Sequence, residues 1–243
     1  PALGHVVYRV IPQAAETPVA TVQEGAVLEN ALYRLQLDPA TGAITQLTVK
    51  DGTWDVFAAP ANVVAMEKDE GDFWELYRPL DAGSRIAMTD RHEPPPPGSA
   101  VFSTEQPAEP GTLVGGPVMS EFTVGHPFSA RGEFRTTIRL YAGLRRIDIR
   151  TTIVNQDAAV RYRALFPTAL APRERVHEIP FGAIARPDAI EFPAQHWVDC
   201  GDGDRGVALL NRGLPGNNIA GGTLMLSLLR STRIVAYGYG GGY

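Results

Sequence analysis

Apolar and polar residues alternate with a period of two through most of this chain, and that spacing predicts strands whose side chains point to opposite faces. Between Leu32 and Leu37 the residues Leu32, Arg34 and Gln36 fall on one face and Tyr33, Leu35 and Leu37 on the other. The turn Pro39-Ala40-Thr41-Gly42 returns the chain into Ala43 to Val49, which makes a hairpin. A longer pair follows. Phe134, Thr136, Ile138 and Leu140 point inward, joined by Ile147, Ile149, Thr151 and Ile153 of the next strand, with Ala142-Gly143-Leu144 as the turn. Arg135, Arg139, Arg146, Asp148 and Arg150 face outward as a solvated, cross-strand charged face. No window places apolar residues at i, i+3, i+4 and i+7 between convincing caps, so helix is expected in a turn or two at most.

Residues 90–117 break the pattern. His92-Glu93-Pro94-Pro95-Pro96-Pro97-Gly98 is expected to be extended polyproline II, and Pro107, Pro110 and Gly115-Gly116-Pro117 add further breaks. The stretch reads as an irregular, Pro-rich surface excursion within a single domain over residues 1–243. Many strands with turns at short intervals, and no repeat of fixed period, predict an all-β fold, a large antiparallel β-sandwich.

Composition narrows the function classes. The 243 residues are 44% hydrophobic and 20% charged, enough for a substantial core. A net charge of -5 argues against nucleic acid, which needs a basic excess. Lys50 and Lys68 are the only lysines, a bias that fits a GC-rich bacterial genome and makes a bacterial cytoplasm the expected compartment. One cysteine, Cys200, permits no intrachain disulfide and leaves the redox setting open. No apolar run is long enough for a membrane helix. Both ends read as cut: strand-like sequence begins at Gly4, and the chain stops soon after another strand, as expected of a piece of a longer enzyme.

Few constellations carry chemistry. His196, Asp199, Cys200, Asp202 and Asp204 are the residue types that bind zinc, but Asp202-Gly203-Asp204 is ordinary hairpin-turn chemistry. His177 and Glu178 are adjacent and so point apart on a strand, and the spacing of Glu191 and His196 forces no cleft for acid–base work. Cys200 beside Asp199 and Asp202 is a poor nucleophile, and no Gly-x-Ser-x-Gly elbow occurs. The segment from Glu70 to Pro79, with Phe73, Trp74 and Tyr77 among carboxylates and an arginine, suits a sugar: rings stack on a pyranose and carboxylates accept hydroxyl hydrogen bonds. Core packing of those rings is the competing reading. Alternation lets only one of Phe73 and Trp74 face a cleft.

The ordered series from His177 to Ser231 adds a resemblance. It runs through Glu178-Ile179-Pro180-Phe181-Gly182, Arg186-Pro187, Glu191-Phe192-Pro193-Ala194-Gln195-His196-Trp197, Gly206-Val207-Ala208-Leu209-Leu210-Asn211 and Leu226-Ser227-Leu228-Leu229-Arg230-Ser231. The upstream Leu28-Glu29-Asn30 and Asp38-Pro39-Ala40-Thr41-Gly42 fit an entry hairpin. This order resembles the C-terminal β-domain of glycoside hydrolase family 38, the zinc-dependent retaining α-mannosidases, and spans most of the chain, least from about Ala58 to Thr123.

The resemblance implies a many-stranded supersandwich like that of galactose mutarotase. It implies a non-catalytic domain that packs on an N-terminal catalytic domain and lines its α-mannoside cleft. The nucleophile and the zinc would both lie in that missing domain, so no catalytic residue, metal ligand or cofactor is expected here, and the chain alone is expected to be inactive. Arg186 is the expected substrate-binding residue, with Trp74 or Phe73 next. Departures from the family pattern at Ala185 and Arg212 bear on substrate preference. The alternative is a free-standing carbohydrate-binding or aldose-epimerase-like sandwich. A domain of the first kind is also expected to expose an apolar face toward its partner.

Overall fold

The computed structural model describes residues 4–5, 7–9, 11, 20–21, 26–52, 54–69, 100–106, 109–128 and 132–231. Its strands are β1 (Ala20–Thr21), β2 (Ala26–Glu29), β3 (Tyr33–Leu37), β4 (Ile44–Val49), β5 (Trp54–Asp55), β6 (Val63–Lys68), β7 (Val101–Phe102) and β8 (Thr112–Gly115). There follow β9 (Met119–Phe128), β10 (Gly132–Tyr141), β11 (Ile147–Val154), β12 (Val160–Pro167), β13 (Glu174–Ile179), β14 (Gly182–Ala185) and β15 (Phe192–Pro193). The last are β16 (Trp197–Gly201), β17 (Gly206–Leu210), β18 (Gly216–Ala220) and β19 (Thr223–Ser231). One short 3-10 turn, Ser103–Glu105, is the only helix among the described residues.

The all-β class therefore stands. In place of one two-layered sandwich, the strands divide among four antiparallel sheets: β1-β8-β9-β10-β11, β15-β18-β19-β12-β6-β7, β14-β13-β16-β17 and β2-β3-β4-β5. Period-two patterning reports faces, not partners, so it could not show this division. The described part of residues 90–117 is also not wholly irregular. Thr112–Gly115 pairs with β9, and its Leu113 is buried opposite Phe122.

One apolar core draws on all four sheets, through Leu28 and Leu35, Phe122 and Ile138, Phe166 and Leu224, and Val198 and Cys200. The long hairpin behaves as its pattern predicts, with Phe134, Thr136, Ile138 and Leu140 buried. Arg139 lies opposite Asp148 in register but pairs with Glu121 of β9, while Asp148 pairs with Arg146 at 2.7 Å. The β3–β4 turn is pinned to this sheet. Asp38 Oδ1 accepts the Ala40 and Thr41 N–H groups, and Gly42 sits at φ +72° where a Cβ would lie 2.4 Å from Thr136 Cγ2. Asn62 Nδ2 donates to Gly42 O and Thr136 Oγ1 at 3.2 and 3.1 Å, which closes the joint.

Strand β12 is buried on both faces. Val160, Tyr162, Ala164 and Phe166 face apolar clusters, so alternation turns Arg161 and Arg163 to the other side, where both are at most 1% exposed. Carboxylates meet them there. Arg163 lies 2.5 Å from Glu67 and 2.6 Å from Glu191, and Arg161 lies 3.3 Å from Glu191. Asp69 takes a bidentate pair from Arg230 at 2.6 and 3.0 Å, and Ser227 Oγ donates to Glu191 Oε1 at 3.1 Å. Burial alone would raise the Glu191 pKa, but Arg163 and Arg161 outweigh it and hold the carboxyl below its usual range.

Removing one partner of this layer leaves a buried charge uncompensated. Glu191→Ala is expected to cost about 3–5 kcal/mol in denaturant unfolding, while Glu29→Ala, which breaks an exposed pair with Lys50, should shift the midpoint little. Because the Glu191 pKa is depressed on folding, its contribution is complete above the ordinary carboxylate range and is lost as pH falls through the folded value. Glu191→Gln should therefore flatten the acid limb of the stability profile; an acid limb as steep as in the wild type would contradict this.

Candidate functional site

The small sheet β14-β13-β16-β17 and the loop that leaves it carry most of the residues singled out from sequence. Register places His177 opposite Ile184 and Val198, and Glu178 opposite Ala183, so the two neighbours point to opposite faces, as alternation requires. On the inner face, burial, with Arg186 nearby, pushes the His177 imidazole down to about 4, so it is neutral at neutral pH. On the outer face, Glu178 accepts the His196 N–H at 2.7 Å and lies 3.2 Å from His196 Nδ1.

This contact missed by the sequence reading joins residues 18 apart across β13 and the start of β16. His196 is mostly exposed there, so the pair is a surface contact with the two groups on each other instead of flanking a ligand. Glu191, the other carboxylate weighed as a base, belongs to the buried arginine layer. Cys200 is buried, and burial pushes its thiol up to about 11, which removes it as a nucleophile. Asp202 Oδ1 accepts the Asp204 and Arg205 N–H groups, the turn chemistry its sequence predicts. Among the described residues no three His, Cys, Asp or Glu side chains converge as metal ligands.

Arg186 directly follows β14, and its N–H donates to Arg175 O at 2.9 Å. Its loop is clipped on both sides: Asp188 pairs with Arg175 at 2.8 Å and accepts the Gly221 N–H, and Ala189 N–H donates to Ile219 O. The guanidinium lies 4.4 Å from the centroid of the Phe192 ring, and the His177 and Phe192 rings are nearly perpendicular with centroids 6.5 Å apart. Such stacking is worth roughly 0.5–2 kcal/mol. Arg186 is thus half-buried and fixed against an aromatic face.

Four described arginines, Arg161, Arg163, Arg175 and Arg186, hold a buried guanidinium nitrogen that makes no hydrogen bond. The first three have a carboxylate within ion-pair distance; among the described residues Arg186 has none. Its position is fixed, yet its donors are not used by the described residues. Trp74 and Phe73 lie outside the described residues. A separate open groove of about 610 Å³ runs over β9 and β10 among Glu109, Gly125, Glu133 and Arg135, on another sheet and with no exposed aromatic platform.

Known proteins resemble this chain over most of its length. Alpha-mannosidase 2C1 of Mus musculus is 26% identical over 236 residues, a match that covers 91% of this chain and 21% of that protein. The chain thus spans about a fifth of that relative's length. A protein in the glycosyl hydrolase family 38 from Enterococcus faecalis superposes with a TM-score of 0.69 at 18% identity, over 90% of this chain and 29% of that one. An alpha-mannosidase from Enterococcus faecalis V583 does so with a TM-score of 0.67 at 17% identity, over 85% and 26%. At those identities the superpositions speak for the fold alone. The sequence model of the glycosyl hydrolases family 38 C-terminal domain matches residues 28–234, nearly the whole chain, and the chain belongs to that family.

Proposed function

We propose that this chain is the non-catalytic C-terminal β-domain of a zinc-dependent retaining α-mannosidase. In this reading it is one domain of four sheets, set against the catalytic domain so that it lines the carbohydrate cleft. The observation that carries the reading is Arg186, held on Phe192 with no acceptor for its guanidinium among the described residues. A fixed guanidinium offers several N–H donors to sugar hydroxyls or to a carboxylate across a domain boundary, without losing freedom when it binds. The neutral His177 beside it adds no competing positive charge. Trp74 or Phe73 would add the stacking surface.

The parent reaction is then retaining hydrolysis of α-mannosides by a carboxylate nucleophile and a second carboxyl acid/base, both supplied by the catalytic domain. The zinc would also be held there, and no step of the reaction is assigned to a metal on this chain. The contribution of this domain is to orient the sugar and shape the cleft. A bacterial cytoplasm is the compartment proposed for the enzyme; no described helix is long and apolar enough to cross a membrane.

In the full-length enzyme, Arg186→Ala should lower kcat/KM for an aryl α-mannoside by roughly tenfold to a hundredfold, the worth of a charged hydrogen bond. It should also cost about 1 kcal/mol of stability through the lost stacking. Arg186→Lys, which keeps the charge but not the planar fork, should recover only part of the rate. Steady-state kinetics equal to wild type in both variants would remove Arg186 from the cleft. Purified alone, residues 1–243 should neither turn over that substrate nor hold stoichiometric zinc, as read by elemental analysis.

A further inference from the structure

The turn that closes the β13–β14 hairpin breaks two local preferences at once. Ile179 and Gly182 are the last paired residues, so Pro180 and Phe181 form a two-residue loop. Proline fixes a negative φ at the first of these positions, and Phe181 stands at φ +63° at the second. That sign pattern is the type II turn, which favours glycine or asparagine where this chain has phenylalanine, and which matches strand twist less well than the primed turns. The ring gains nothing within the chain in return, because Phe181 is 109% exposed. Strand β14 continues the anomaly. All four of its residues are exposed, it is a sheet edge, and residues 179–185 contain no charge. The short length of β14 and the proline before it limit what could pair along this edge, but it carries no lysine, inward charge or bulge.

Strain and exposed apolar surface at one tip mark a place that something else completes. We propose that the β13–β14 hairpin is a docking prong, with Phe181 inserted into an apolar pocket on the catalytic portion of the full-length polypeptide. This rests on the reading that the chain works as one domain of a longer α-mannosidase. The matched relative is about five times as long as the region it shares with this chain, so a covalently attached surface is at hand to cover the tip. A second copy fits less well. One large side chain and a four-residue strand are too little to meet the entropic cost of joining free molecules, but enough where the partner is tethered. A sugar fits less well too, since Pro180, Gly182, Ala183 and Ile184 offer no side-chain donor or acceptor around the ring. Other exposed apolar side chains, such as Leu210 on the far edge strand and Val118 before β9, lie on other strands.

Phe181→Asn tests this in the full-length polypeptide, because asparagine keeps the left-handed backbone accessible and removes only the ring. Hydrogen–deuterium exchange over residues 179–185 is expected to be at least tenfold faster in the variant than in the wild type, at every protein concentration, with β10 exchanging alike in both. Equal exchange over the hairpin would overturn the proposal. Wild-type protection that grows with protein concentration would assign the tip to a second copy, and protection seen only with added α-mannoside would assign it to sugar; either overturns docking. The measurement needs no substrate, so it stands whether or not the protein turns over α-mannosides, and a wild type inactive on them would count against the proposed function alone.

Discussion

Strand β12 has no face toward water, and the rest of the structure is arranged around that constraint. Seven of its eight residues are buried, and alternation forces Arg161 and Arg163 away from the apolar core into a second buried layer. Charges removed from water cost several kcal/mol each unless they are paired closely and from more than one side. Glu67 and Asp69 come from the end of β6 and the residue after it, Glu191 from the loop before β15, and Ser227 and Arg230 from β19. The layer is favourable only when all of these segments have arrived, so it acts against any register of the six-stranded sheet that leaves one of them out.

That layer also reaches the candidate site. Glu191 is bound between the two buried arginines, and the next residue, Phe192, is the platform on which Arg186 lies. The same short loop is held by Asp188 and Ala189 to β13 and to the far end of β18. Arg186 therefore inherits its position from the core, although it stands at the edge of a small sheet. A residue that has to meet a substrate across a domain boundary benefits from being fixed before the partner arrives. The exposed tip a few residues earlier on the same hairpin is where the proposed partner would arrive.

Strand positions and faces were readable from the chain wherever one side met water. The β10 hairpin is the clear case, since Phe134, Thr136, Ile138 and Leu140 alternate with polar residues and are buried as expected. The same period misleads at β12. Arg161 and Arg163 alternate with apolar residues just as Arg135 and Arg139 do, yet they are buried, because the carboxylates that neutralise them are distant in sequence. Partners across sheets were likewise not visible: neither the division into four sheets nor the Glu178–His196 contact follows from local pattern. Arg186 was singled out through its motif and the proline after it. Its stacking on Phe192 was not, although the two lie only six residues apart, because the loop must fold back to bring them together.

The most direct test of the account is a crystal structure of the full-length polypeptide with an α-mannoside-like inhibitor in the catalytic cleft. The account predicts the Arg186 guanidinium at the rim of that cleft, still stacked on Phe192, with an N–H group within about 3 Å of a sugar hydroxyl or a catalytic carboxylate. An Arg186 that faces solvent or packs away from the inhibitor, with this domain touching no wall of the cleft, would contradict it.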